Sequence, residues 1–255
     1  QGPRPMTGCL TIAGLGPGSP DQITPAVEQA IAAATDVVGY IPYVARIAPR
    51  DGLVLHPSDN RVEADRARHA LDMAAAGRRV LVVSSGDPGV FAMAAAVYEV
   101  LETDLARWRD VDITVLPGIT AMLAAAARVG APLGHDFCVI NLSDNLKPWA
   151  LIEQRLQLAL QADFAMAFYN PRSKSRPEGF EKTLQILKSY GEGDRPVIFA
   201  RAVSTPDERI MIVPLAEAQP DMADMQTVVL VGSSQTRTLS HKGAVLAYTP
   251  RSVKG

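Results

Sequence analysis

The chain has 255 residues, 47% of them hydrophobic and 20% charged, enough apolar material for one large or two modest domains and too much for a disordered chain. A net charge of −2 provides no overall field toward nucleic acid or anionic lipid, so an anionic ligand would need a local basic pocket. Two cysteines in apolar stretches (Cys9, Cys138) and four scattered histidines (His56, His69, His135, His241) argue against a disulfide framework and against a protein-built metal site.

In chain order, residues 9–13 (CLTIA) read as a short buried strand, broken at once by Gly14-Leu15-Gly16-Pro17-Gly18. Thr24-Pro25 offers an N-cap with proline at the first helical position, ahead of the helical run VEQAIAAA. A strand over 36–40, a helix over 63–76 and a strand over 79–84 follow. A helix is expected from Gly89 to Leu101, then a strand opening at Asp112 and the helix ITAMLAAAARV after Pro117-Gly118. This alternation predicts parallel α/β construction. The stretch APLGH, residues 131–135, reads as a domain boundary. Beyond it come the strand FCVINL, a helix over 149–160, the strand FAMAFY, a helix over 178–190, and strands from Val197, Ile210 and Thr227. The last strands are close enough for antiparallel pairing. The expected fold class is therefore α/β in two domains: a parallel N-terminal domain over 7–131 and a mixed-sheet C-terminal domain over 136–250. No apolar run reaches the roughly 18 residues of a membrane span. The opening QGPRPM has no apolar leader core, so a cytoplasmic location is expected.

Four expected strand ends share a character: Gly14-Leu15-Gly16-Pro17-Gly18, Ser85-Gly86-Asp87-Pro88, Pro117-Gly118-Ile119-Thr120-Ala121 and Tyr169-Asn170-Pro171. Ligands of open α/β sheets lie outside the carboxyl ends of the strands. Glycine permits close backbone approach and proline stiffens the turn. Taken singly, these loops are also tight turns, Asp87 is an N-cap for a helix at Gly89, and Asn170-Pro171 is a turn initiator. A nucleotide-phosphate site does not fit. Neither G-x-G-x-x-G nor G-x-x-x-x-G-K-[ST] occurs, Pro17 lacks an N–H, and Asp87 would repel a pyrophosphate. A ligand with a neutral nucleoside end and a positive centre matches better.

GLGPG, SSGDPGVFAMA, PGITA and LSD, in that order, resemble the tetrapyrrole methylases, which use S-adenosylmethionine. FYNPRSKSRP, VGSSQTR and YTPR are similar to the branch that methylates precorrin-3B at C17 and contracts the macrocycle in cobalamin biosynthesis. The resemblance runs from about Cys9 to Arg251, with departures at Phe91-Ala92 and Ser252-Val253. It implies a two-domain fold with the active-site cleft between the domains, a homodimer, and S-adenosyl-L-homocysteine as co-product. It implies that Pro17, Ser85, Gly86, Asp87, Val90, Thr120, Ala121, Tyr169, Asn170 and Ala202 bind the cofactor. Methylation of another precorrin position, or of cobalt-precorrin-3, is the alternative.

A precorrin carries many carboxylates, and Arg172, Lys174 and Arg176 share one loop suited to them, although a solvated basic loop would look the same. Lys147, Arg201, Arg209, Arg237 and Lys242 are further candidates. Contraction requires a base near a bridge hydroxyl and a donor for a departing lactone oxygen. Asp144 is the expected base and Lys174 the expected donor.

Overall fold

A computed structural model of the chain describes residues 8–59 and 62–253. The QGPRPM segment and Thr7, where the first domain was expected to open, lie outside them. The described residues divide into two compact units, the first ending at Thr120 and the second opening at Ala121.

The first unit contains β1 (Cys9–Gly14), α1 (Pro25–Ala33), β2 (Asp36–Tyr40), α2 (Ile41–Val44), β3 (Val54–Ser58), α3 (Glu63–Ala75), β4 (Arg79–Ser84), α4 (Met93–Thr103) and β5 (Asp112–Leu116). Its five strands form one parallel sheet in the order β3-β2-β4-β1-β5. Successive strand residues point to opposite faces, so β4 feeds two cores. Val80 and Val82 join Leu10, Ile12 and the inner faces of α3 and α4, whereas Leu81 and Val83 join Ala13, Leu15, Val27 and Val37 on the other side. A sheet buried on both faces needs the near-continuous apolar runs seen in its central strands. Thr24 caps α1 as expected, its Oγ1 accepting from the Val27 amide at 3.2 Å.

Three elements differ from expectation here, the first being the four-residue helix α2, which was not expected. Helix α4 begins at Met93 rather than Gly89, because Phe91 takes φ 52 and the Ala94 amide turns back to the Pro88 carbonyl at 2.9 Å. Strand β3 was not expected: it contains Pro57 and lies at the sheet edge, where a missing N–H is tolerated.

The second unit contains α5 (Ala121–Val129), β6 (Gly130–Ala131), β7 (Phe137–Asn141), α6 (Trp149–Gln161), β8 (Ala165–Tyr169), α7 (Glu178–Lys188), β9 (Pro196–Arg201), β10 (Arg209–Pro214), β11 (Thr227–Val231), β12 (Arg237–His241) and β13 (Ala244–Tyr248). The main sheet has the order β10-β9-β11-β8-β7 and is mixed, with β7 and β8 parallel and the other pairs antiparallel. One face packs Met166, Phe168, Val197, Phe199 and Val229 against Leu156 of α6 and Phe180, Leu184 and Leu187 of α7. The Ala-rich helix α5 buries Ala124, Ala125 and Ala126 and packs on β11.

The division therefore falls before α5, not at residues 131–135. Helix α5 packs on β11 and β13, and β6 pairs with β13, so both elements belong to the second unit. The β12–β13 hairpin was also unexpected. Its two-residue turn, Lys242-Gly243, has φ 49 and 79, the left-handed pair that matches strand twist. Because β12 is exposed throughout, it shows no burial alternation to read.

Candidate active site

In the first unit all strands run parallel, so their carboxyl ends share one edge. Strand β1 lies between β4 and β5, which places the loops after these three strands side by side. They pack backbone to backbone. A Cβ on Gly14 would lie 2.4 Å from the Gly86 carbonyl oxygen, and one on Gly118 would lie 2.2 Å from the same atom. Only glycine fits either position. Gly16 and Gly86 exchange two amide–carbonyl hydrogen bonds at 3.1 and 2.9 Å, with Gly16 at φ 70.

Two charged side chains lock this platform. The Asp87 carboxylate accepts from the Gly118 amide at 3.0 Å through Oδ1 and from the Gly89 amide at 2.8 Å through Oδ2. Asp87 thus ties the β4 loop to the β5 loop, and it does not cap α4. Arg46, half-buried, donates Nη2 to the Leu15 carbonyl at 2.6 Å and Nη1 to the Gly16 carbonyl at 3.1 Å. Burial lowers the Arg46 pKa from its ordinary value, opposed by Tyr43. Sequence reasoning missed Arg46. Its one signal is a lone guanidinium within the otherwise apolar YVARIA. Pro17, Ser85 and Val90 are half-buried along the same three loops, and Thr120 is buried just after them.

In the second unit, β7, β8 and β9 end at one edge. Tyr169 Oη accepts from the Met122 amide at 3.0 Å, satisfying a first-turn donor of α5, the helix that opens with Ala121. Asn170 has φ 51, and its Nδ2 donates to Asn141 Oδ1 at 3.1 Å. Ala202 and Ser204 have φ 46 and 64, left-handed conformations that cost about 1–3 kcal/mol each outside glycine. The turn is held by its surroundings. The Ala202 amide donates to the Gln226 carbonyl at 2.9 Å, and the Ser204 amide to Glu208 Oε1 at 2.7 Å. Glu208 Oε1 also receives Arg128 Nε from α5 at 3.0 Å. Glu208 and Asn141 were likewise missed; nothing local in the sequence marks either.

The expected substrate cations are deployed unequally. Arg172 donates to the Pro220 carbonyl at 3.3 Å, Lys174 is exposed, and Arg176 is ion-paired with Asp144, the expected base. Arg201 donates to Asp224 Oδ2 at 2.6 Å. Burial pushes the Asp224 carboxyl up, but hydrogen bonds from Arg201, the Gln226 amide and Thr227 outweigh it and hold the pKa below its ordinary value. Burial, with Arg155, lowers the Lys147 ammonium, against the opposing pull of Asp144. Among the described residues no group of three or more His, Cys, Asp or Glu side chains could hold a metal ion, and no helix is long and apolar enough to cross a membrane.

The tetrapyrrole (corrin/porphyrin) methylase family matches residues 9–219. The chain belongs to this family. Over 251 residues it is 52% identical to the precorrin-3B C(17)-methyltransferase of a Sinorhizobium species, covering 98% of this chain and 99% of that one. It is similar to a crystal structure of the methyltransferase CobJ, with a TM-score of 0.91 and 63% identity over 95% of this chain and 100% of the other. A probable cobalt-factor III C(17)-methyltransferase of Salmonella typhimurium is 36% identical over 229 residues, 89% of this chain and 93% of that protein. The α/β fold with two sheet-containing units is that of the family.

Proposed function

We propose that this protein transfers the methyl group of S-adenosylmethionine to C17 of precorrin-3B and contracts the macrocycle to give precorrin-4. The observation that carries this reading is the 52% identity to a precorrin-3B C(17)-methyltransferase over nearly the full length of both chains. The cobalt-bearing alternative rests on the 36% identity to the Salmonella protein, and the wider identity gap favours precorrin-3B.

The residues fit the cofactor. Because Gly14 and Gly118 admit no Cβ, the loops pack so closely that a ligand laid on them would meet backbone rather than side chains. Pro17, Ser85, Gly86, Val90 and Thr120 would hold the methionine side, with Asp87 fixing the loops as well as adding negative charge. Ala121, Tyr169, Asn170 and the Ala202 turn would hold the adenine. When bound, the cofactor supplies an electrophilic methyl group. The chain's task in that step is alignment, for which orientation alone contributes several kcal/mol.

Contraction asks more of the side chains. Asp144 would take the bridge-hydroxyl proton, and Lys174 would donate to the lactone oxygen as its bond breaks. Arg172, Lys174 and Arg176 would meet the substrate's carboxylates, and the protein would work as a homodimer. Mass spectrometry after incubation with S-adenosylmethionine and either precorrin-3B or cobalt-precorrin-3 tests the reading. A gain of one methyl on precorrin-3B is expected. Methylation of the cobalt compound alone would replace this reading with the alternative.

A further inference from the structure

The side chains proposed as base and as substrate cation, Asp144 and Arg176, are bound to each other. We propose that this ion pair is a latch opened by the substrate: a carboxylate of the tetrapyrrole takes the place of Asp144 on Arg176, so that one event seats the anion and frees the base. This rests on the tetrapyrrole reading above and adds to it the order in which the site is assembled.

The two residues lie on the loops that follow β7 and β8, neighbouring parallel strands. At their roots the loops are tied firmly. Asn141 Oδ1 accepts from both Asn170 Nδ2 at 3.1 Å and the Ser143 amide at 3.0 Å, and the Leu142 amide donates to the Tyr169 carbonyl at 2.9 Å. Farther out, Asp144 meets Arg176, whose side chains are 42% and 44% exposed. An ion pair this open to water contributes little, so exchange of one carboxylate for another costs little.

Arg176, which already holds a carboxylate, suits the exchange better than Arg172. Arg172 is half-buried and donates to the Pro220 carbonyl. Arg176 is presented by a tight turn in which its amide donates to the Ser173 carbonyl at 3.2 Å. A guanidinium also takes an incoming carboxylate in bidentate fashion. A second observation points to the same ligand: Leu146, two residues from Asp144, is 96% exposed. A tetrapyrrole combines an anionic rim with an apolar face, and this loop carries an exposed apolar side chain two residues from Asp144. In the free protein Arg176 also cancels the Asp144 charge, which would otherwise repel an incoming polycarboxylate.

The test compares wild type, Asp144→Asn, Arg176→Ala and the double variant in two assays: fluorescence titration with uroporphyrin III, an octacarboxylate macrocycle, and turnover of precorrin-3B. Arg176→Ala should weaken uroporphyrin binding by about fivefold. Asp144→Asn, which removes the internal competitor, should tighten it by about two- to fivefold. That gain should vanish in the double variant. With precorrin-3B, Asp144→Asn should lower KM yet accumulate methylated, uncontracted material. Weaker or unchanged uroporphyrin binding by Asp144→Asn would make the pair a structural tie and overturn the latch, even if the wild type converts precorrin-3B. Opposite signs for the two variants with no turnover of precorrin-3B would keep the latch and discard the C17 reading instead.

Discussion

Asp87 Oδ1 lies 3.0 Å from the Gly118 amide nitrogen, joining the loop after β4 to the loop after β5 across the end of β1. This bond and the one from the Gly89 amide engage both carboxylate oxygens. Hydrogen bonds to a charged group contribute about 1.5–3 kcal/mol. Asp87→Ala should therefore lower the melting temperature as well as weaken S-adenosylmethionine binding. Asp87→Asn, keeping an acceptor oxygen for one of the two amides, should fall between the two. Calorimetric titration and thermal melts on the same samples check this. Undiminished stability with lost binding would make Asp87 a direct ligand rather than a brace.

Asp36 opens β2 with its side chain 4% exposed, contacted by His56 at 2.9 Å, Arg78 at 2.7 Å and the Thr35 hydroxyl at 2.7 Å. Burial alone would raise its pKa. The hydrogen bonds from His56, Thr35 and Arg78 outweigh that and hold it below its ordinary 3.8. A carboxylate depressed on folding adds stability that is complete above the unfolded-state pKa and is lost as pH falls through the folded value. Urea titrations should show Asp36→Asn less stable than wild type by about 1–3 kcal/mol near neutrality, with the gap narrowing below about pH 4. A gap that stays constant in acid would show that the ionised form is not what stabilises β2.

Legibility in the sequence followed burial. The run from Val80 to Val83 is apolar because both faces of β4 are covered, and that pattern can be read without coordinates. Edge and exposed strands lack it: β3 carries Pro57, and β12 has no buried residue to set a period. The Gly- and Pro-rich loops could be recognised as a group because close backbone approach demands those residue types. What holds the loops could not. Arg46 reaches back about 30 residues to Leu15, and Glu208 receives Arg128 from 80 residues away. No local pattern encodes such pairings. The unit division before α5, rather than at APLGH, is likewise invisible locally, since the packing of α5 on β11 is a long-range contact.

Glu208 is the support of the Ala202–Ser204 turn. Without its Oε1 the Ser204 amide and Arg128 both lose an acceptor, and the left-handed residues have less to hold them. Glu208→Ala should raise the Kd for S-adenosylmethionine by about three- to tenfold while kcat at saturation changes little. Glu208→Gln keeps the acceptor for Ser204 and should recover most of the affinity. Equal loss in both variants would assign the effect to the ion pair with Arg128 rather than to the turn.

We propose, from the resemblance to the tetrapyrrole methylases, that the protein is a homodimer. Light scattering at micromolar concentration should give twice the chain mass. A monomer mass there would reject the assembly.

Lys174 is exposed on the loop between Tyr169 and α7, while Arg172 beside it is tied to the Pro220 carbonyl and Arg176 to Asp144. Of the three cations it is the one whose ammonium is most open to an incoming ligand. Replacing Arg172 and Lys174 together by alanine should raise the substrate KM by roughly tenfold, with cofactor affinity nearly unchanged, since exposed pairs are worth ~0.2–1 kcal/mol each and more where water is excluded. Lys174→Ala alone separates binding from chemistry. If the ammonium donates to the departing lactone oxygen, this variant should methylate at a normal rate and stall before contraction. The stalled compound and the contracted product have the same mass, so the macrocycle's absorbance or carbon NMR must distinguish them. Because Lys174 is exposed, its loss should leave the melting temperature unchanged, so a stall cannot be put down to unfolding. Full contraction by Lys174→Ala would remove it from the chemistry, and normal KM in the double variant would leave the loop as a solvated surface turn.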